Sequence, residues 1–399
     1  WALVSCIRAA ALIAINTASR DQMRLAPVFR SPFGIAWTGA GEAWVTHLYP
    51  DDEHPHLTGV TLGEDGPKVS SHLWFFAASP RNPTQLTDPV AEHNVAEGGY
   101  LNFRGHPARF PGDKNQLWIP SQYHNMHPDR FSPDSTIEAS LRRFDLGTHR
   151  LSVDDKVILT APQVHDPTKG DNNPPWIGYG WNATVSGLVD VGFSRIGDRL
   201  YTALLAEQSD ELVFMPADTP PFKSKTDKNA PGLPELRVGK RPMGLVAHPS
   251  KALAYTYNSY SFDVSEVDLS DPARPRERRR IAVATPEAWS PIALKTVRDG
   301  GTLFYTSADP RISVNEKVSC ATCHINAEHD GRSWAFHALP GGTAGQGHGM
   351  RNVQSLLGLG ATFNAGQRDA TYGWGQLHHS GDRDEIQDFE HTFQSPLMG

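Results

Sequence analysis

The residues with the most sharply defined chemistry are Cys320-Ala-Thr-Cys323-His324, inside the stretch "VSCATCHINAEHDGRSW". Two thiols at i and i+3 can form thioethers to the two vinyl groups of a haem, and the adjoining imidazole then reaches the iron from the proximal side. Zinc and a redox disulfide are the other readings. The chain has only 3 cysteines, so neither a four-cysteine zinc site nor a disulfide scaffold can be built. A redox C-x-x-C belongs at a helix start in a βαβ context, which this region lacks. Cys6, the third cysteine, reads as a small buried residue of a strand.

The flanks carry a resemblance. "GTLFYTSADPRISVNEKVSCATCH" is similar to the entrance of the haem domain in the bacterial di-haem cytochrome c peroxidase family, through Leu303, Phe304, Asp309, Arg311, Ser313 and Ser319 to His324. "GHGMRNVQSLLG" matches a later segment of that family through Arg351, Asn352, Ser355, Leu356 and Leu357. The resemblance spans about a hundred residues and implies one covalently attached haem c held by Cys320, Cys323 and His324, with Arg351 beside the cofactor. It implies a sixth iron ligand from "GQGHGM", either His348 or Met350, a methionine there raising the potential. Glu385 and Glu390 stand where the family places a carboxylate that assists peroxide cleavage. They fit equally the wet side of a helix whose Ile386, Phe389 and Phe393 face a core. The chain departs from the family in having one C-x-x-C-H motif; a second haem, if there is one, lies beyond Gly399.

Something must position these groups, and the preceding three hundred residues read as repeated short strands. "RPMGLVAHPSKALAYTYNSYSFDVSEVDLSDP" from Arg241 shows a Pro-x-Gly turn, an apolar strand, a His-Pro turn, a second strand and a third alternating strand. Weaker copies start at Arg30, Gly105, Val191 and Ser290. Units of this size without helical repeat signatures predict propeller blades, which close on themselves and so leave few bare sheet edges. Leu12 to Asn16 reads as the last strand of a blade whose other strands lie elsewhere, and 79–100 and 161–181 as rim loops. "PMGLVAHP" and "VSEVDLSDP" resemble the YVTN-type propeller family. The expected architecture is therefore mainly β: a propeller over 1–300, of the seven-bladed type and incomplete, and a small mostly α cytochrome c domain over 301–399.

Composition bounds the function. A net charge of −7 argues against a nucleic-acid surface. Arg274 to Arg280, "RPRERRR", reads as a solvated loop, with an acidic docking partner as the alternative. His124, Met126 and His127 have the residue types of a copper cluster, but neighbours in a strand point to opposite faces. No run of eighteen apolar residues occurs, and the chain reads as part of a longer protein. Haem attachment to cysteines places the protein in the periplasm or outside the cell. The expected function is electron transfer with a redox partner protein, in the setting of a larger complex; the alternative is a peroxidase-like oxidoreductase using an open iron and Glu385 or Glu390.

Overall fold

The computed structural model describes residues 1–19, 23–39, 41–49, 55–64, 66–75, 99–102, 105–125, 137–151, 157–158, 185–218, 234–283, 290–313, 318–330, 333–334 and 351–357. Among the described residues, alternating apolar strands punctuated by turns become five antiparallel sheets of three to six strands in chain order, with one further two-stranded pair near the end, so the fold is mainly β and propeller-like. Blade 1 is β1 (Ala2–Cys6), β2 (Ala11–Ile15) and β3 (Met23–Pro27). Blade 2 is β4 (Pro32–Gly39), β5 (Glu42–His47), β6 (Leu57–Gly63) and β7 (Gly66–Leu73).

Blade 3 has two long strands and four short ones in four positions. β8 (Gly99–Asn102) and β9 (Ala108–Arg109) share one edge of β10 (Gln116–Asn125), and β11 (Ile137–Asp145) carries β12 (Arg150–Leu151) and β13 (Val157–Ile158) on its far side. Blade 4 runs β14 (Leu188–Ile196), β15 (Arg199–Ala206), β16 (Glu211–Pro216) and β17 (Glu235–Arg237). Blade 5 runs β18 (Pro242–Ala247), β19 (Leu253–Asn258), β20 (Asp263–Asp268) and β21 (Arg276–Ala282).

The core lies between blades. Trp44 and Leu57 of blade 2 pack on Leu117, Ile119 and Phe144 of blade 3, with the Trp44 and Phe144 rings edge to face at 5.1 Å. Trp118 and Leu141 of blade 3 meet Val191, Leu204 and Val213 of blade 4. Leu205 and Phe214 of blade 4 meet Ala254 and Val267 of blade 5. Large buried aromatics of this kind supply most of the burial energy that a stack of sheets needs.

The Pro-x-Gly signal works differently from its expected role as a turn. Pro32 and Pro242 are the first paired residues of β4 and β18, and the register slips immediately after them. In the copy from Arg30 the glycine serves close packing between blades, whereas a Cβ on Gly244 in the copy from Arg241 would meet only Tyr257, at 3.9 Å. A Cβ on Gly34 would come 2.5 Å from the Gly105 carbonyl of blade 3. Blade 1 also differs from expectation: β2 is its central strand, with β3 outside it. β1 lies against β4 of blade 2, and Ser5 donates its hydroxyl to the Phe33 carbonyl at 2.6 Å. Cys6 itself is half-buried.

The segment from Ser290 is the clearest departure. It was expected to repeat the turn-and-strand pattern and instead forms helix α1 (Pro291–Tyr305). Ser290 accepts a bond from the Ala293 amide at 3.2 Å, and Pro291 supplies the first-turn geometry. These end signals outweigh the strand-like apolar run. Gly301 then lets α1 cross Tyr260 of blade 5, whose ring would lie 2.4 Å from a Cβ at that position.

The arginines of β21 face their own acids. Arg278 and Arg279 reach Glu266 at 3.3 and 2.9 Å, Arg276 reaches Asp268 at 3.6 Å, and Arg280 lies 3.7 Å from Asp263. The basic run is a charged edge strand neutralised within its blade, which also blunts sheet-to-sheet pairing.

Asp190 of β14 is buried and joins two blades, accepting the Val191 amide at 2.8 Å and the Leu245 amide of β18 at 2.7 Å. Burial pushes its carboxyl up to about 8, against the pull of those two donors. An unfolded aspartate titrates near 3.8, so between these values the folded state binds more protons. The stability linked to Asp190 is therefore fully present at the acid end of that window and is lost as pH rises through it. Urea midpoints measured across the window should fall with pH, and Asp190→Asn should flatten that dependence; an equal slope in the variant would contradict the assignment.

Candidate haem-binding segment

Cys320 to Cys323 form the single turn α2, with Ser319 before it and His324 closing it through a 2.9 Å bond from its amide to the Cys320 carbonyl. Ala321 and Thr322, the two residues between the thiols, are fully buried, while both cysteines and His324 are half-buried. An i, i+3 spacing puts the two thiols on one side of the turn. Burial pushes the Cys320 thiol up to about 11, opposite to the depressed value of a redox C-x-x-C nucleophile. Among the described residues no three His, Cys, Asp or Glu side chains converge on a metal position.

Two segments thirty residues apart meet at His324. β22 (Ser333–Trp334) pairs with β23 (Arg351–Asn352), and this returns the chain so that His324 Nδ1 lies 2.8 Å from the Gln354 carbonyl oxygen. The Leu356 amide then donates to the Ala327 carbonyl at 2.8 Å. With Nδ1–H donating, a neutral imidazole offers the Nε2 lone pair to a metal, and a carbonyl partner fixes the ring and raises its basicity. Burial lowers the affinity of His324 for a second proton, with the Gln354 and Glu328 carbonyls opposing. Thiols on one side of a turn and a histidine in this tautomer fit a covalently attached haem.

The segment packs against the sheets, and each of the five described blades contributes to its seat. Ile7 of blade 1 packs with Ile325, and Tyr49 of blade 2 donates its hydroxyl to the Ile325 carbonyl at 2.5 Å. In blade 3, His124 lies 5.2 Å from the Trp334 ring, and Ile137 packs with Val318 and Trp334. Gln208 of blade 4 accepts the Thr322 hydroxyl at 2.8 Å and, on its backbone carbonyl, the Ser307 amide at 2.7 Å. In blade 5, Tyr260 meets Tyr305, and Arg241 at the start of that blade lies 3.5 Å over the Tyr305 ring. Trp334 is completely buried, and its indole donates to Asp330 at 2.8 Å.

The turn after β15, Glu207-Gln208-Ser209-Asp210-Glu211, is buried throughout. By composition it is a solvent turn, and nothing local signals otherwise. Thr322 and Ser307 meet it at Gln208, and its charges are answered from the end of β17 and the connection to blade 5: Lys240 reaches Asp210 at 2.7 Å and Arg237 reaches Glu211 at 3.5 Å. Burial raises the Asp210 carboxyl even with Lys240 beside it.

Of the other candidates, His124 is a buried strand residue, and Met126 and His127 lie outside the described residues. So do His348, Met350, Glu385, Glu390 and the segment 161–181. Arg351 is described through its backbone pairing with Trp334. A cavity of about 360 Å³ lined by His106, Asp190, Val246, Tyr255, Tyr257 and Val264 takes no residue from the haem-type segment. No described helix is long and apolar enough to cross a membrane.

No protein-family model and no curated protein matches the chain. Among solved structures, it is similar to a functionally unknown protein from Desulfotomaculum acetoxidans, with a TM-score of 0.41 and 8% identity over 71% of this chain and 66% of that one. A periplasmic gluconolactonase of Pseudomonas aeruginosa gives a TM-score of 0.36 and 10% identity over 70% and 65%. Hydrazine synthase of Kuenenia stuttgartiensis gives 0.35 and 9% over 67% and 73%. The chain spans just under two thirds of the first two.

Proposed function

We propose that the chain is a c-type haem protein of electron transfer, acting outside the cytoplasm, with the propeller as the rigid seat of the haem-bearing segment. The observation that carries this reading is the Cys-x-x-Cys-His turn with His324 Nδ1 tied to the Gln354 carbonyl. Cys320 and Cys323 would hold the haem through thioethers, and His324 Nε2 would ligate its iron. His348 is the proposed sixth ligand, with Met350 the alternative, and Arg351 is proposed to lie beside the cofactor. When bound, the haem supplies one-electron chemistry.

The protein's own contribution is positioning. The Gln354 carbonyl orients the His324 ring, and the buried Ala321 and Thr322 fix the turn against the propeller. Residues 301–399 are the proposed haem domain, entered through the end of α1. The ring is of the seven-bladed kind in this reading. Exposed Val246 and Tyr257 on blade 5 and Val4 on β1 are the apolar flanks that further strands would cover. Covalent haem attachment takes place outside the cytoplasm, which gives the location, and a redox partner protein is required to exchange the electron.

Absorption and electron paramagnetic resonance of the purified protein test this. The haem should stay attached through acid–acetone extraction and be low-spin in both oxidation states, because two strong-field ligands close the iron. His348→Ala should convert the ferric spectrum to high-spin. An extractable haem would overturn the attachment, and an unchanged spectrum in the variant would move the sixth ligand to Met350.

A further inference from the structure

The side chain of Gln208 is fully buried at the turn between β15 and β16, where it meets Thr322, one of the two residues between the cysteines. Its Oε1 accepts two hydroxyls, from Thr322 at 2.8 Å and from Ser186 at 2.9 Å. Thr322 Oγ1 in turn accepts the Ser319 amide at 3.0 Å, the residue that opens α2. A relay thus runs from blade 4 through Gln208 and Thr322 to the first amide of the thiol-bearing turn. The propeller makes room for it: Gly187, at φ +69°, lies under Gln208, whose Cγ would be 2.8 Å from a Cβ there.

We propose that Gln208 is a positioning residue for the haem-binding turn, acting through Thr322 to fix the orientation of Cys320, Cys323 and His324. A long polar side chain in a surface turn has many rotamers, and burying it costs entropy and desolvation unless its partners are well placed. Here the partner is one of the two side chains between the thiols, and His324 follows two residues later. Outer hydrogen bonds of this kind orient the groups that hold a cofactor. The inference rests on the haem reading for its spectroscopic consequence, while the contact itself belongs to the polypeptide.

The test is a double-mutant cycle on the full chain with Gln208→Leu, Thr322→Val and both together, following amide exchange at His324, whose N–H bonds the Cys320 carbonyl. Each single variant should speed that exchange roughly 10- to 100-fold, the size expected when a buried polar partner is removed. The double variant should be no faster than the faster single, and Thr322→Ser, which keeps the hydroxyl, should restore protection. In the haem-loaded protein, Gln208→Leu and Thr322→Val should shift and broaden the ferric resonance signals in the same way. Additive effects, or full protection in Thr322→Val, would overturn the proposal. Should Gln208→Leu fail to fold, Gln208→Asn, which keeps the amide but draws it back from Thr322, takes its place in the cycle. A wild-type chain without covalent haem would remove the haem reading, and the exchange cycle would still decide the coupling.

Discussion

Replacing Cys320 and Cys323 together with serine is expected to abolish covalent haem completely while leaving the propeller folded. Each thioether is one bond to one thiol, so either single replacement should retain haem through the remaining link, and only the double variant should lose it all. The propeller should be unaffected because the thiols contribute to one small cluster with Val318, Ile137 and Trp334, whereas the blades are held by separate inter-blade cores. Haem staining after denaturing electrophoresis, with circular dichroism of the same samples, reads both parts. Haem still attached in the double variant would mean that this turn is not its site. Loss of the β signal would mean that the turn is a structural keystone of the blades.

The second large effect is expected from Trp334→Ala. Trp334 is wholly buried between the haem-type segment and blade 3, touching His124 and Ile137 and donating to Asp330. Truncating a buried tryptophan costs about 3–5 kcal/mol from lost burial and the cavity left behind. That loss should fall on the docking of the segment, since β22 is a two-residue strand paired only with β23 among the described residues. Amides of 318–330 should therefore exchange far faster while those of β14 and β15 keep their protection. Trp334→Phe, which keeps a ring but removes the donor to Asp330, should cost about 1 kcal/mol or somewhat more. Equal loss of protection in segment and blades would show that the two unfold as one unit.

These two experiments probe different layers of what the chain encodes. Strand alternation such as Leu253 to Asn258 followed by Asp263 to Asp268 is a local property, and both stretches appear as β19 and β20. The Cys-x-x-Cys-His chemistry is equally local, because one helical turn sets the spacing of the thiols and their adjoining imidazole. The second motif, around Arg351 and Asn352, was also visible as a string, but its use was not. Only the return of β23 onto β22 brings the Gln354 carbonyl to His324.

Elsewhere the tertiary structure overrode or completed the local pattern. The run from Ser290 carries the apolar content of a strand, yet Ser290 and Pro291 begin a helix there, and Gly301 gives it clearance over Tyr260. Gly34 is needed because its backbone closes to within 2.5 Å of the Gly105 carbonyl of blade 3, measured from where a Cβ would stand, a crowding that arises only when blades are arranged side by side. The sequence by itself determined the strand content and the thiol–imidazole chemistry, since both follow from periodicity and spacing within a few residues. The tertiary structure alone decided that Glu207 to Glu211 is buried and that Gln208 meets Thr322, 114 residues along the chain. Hydropathy reports how a turn prefers to be solvated; whether a distant segment comes to cover it depends on contacts that no local window contains.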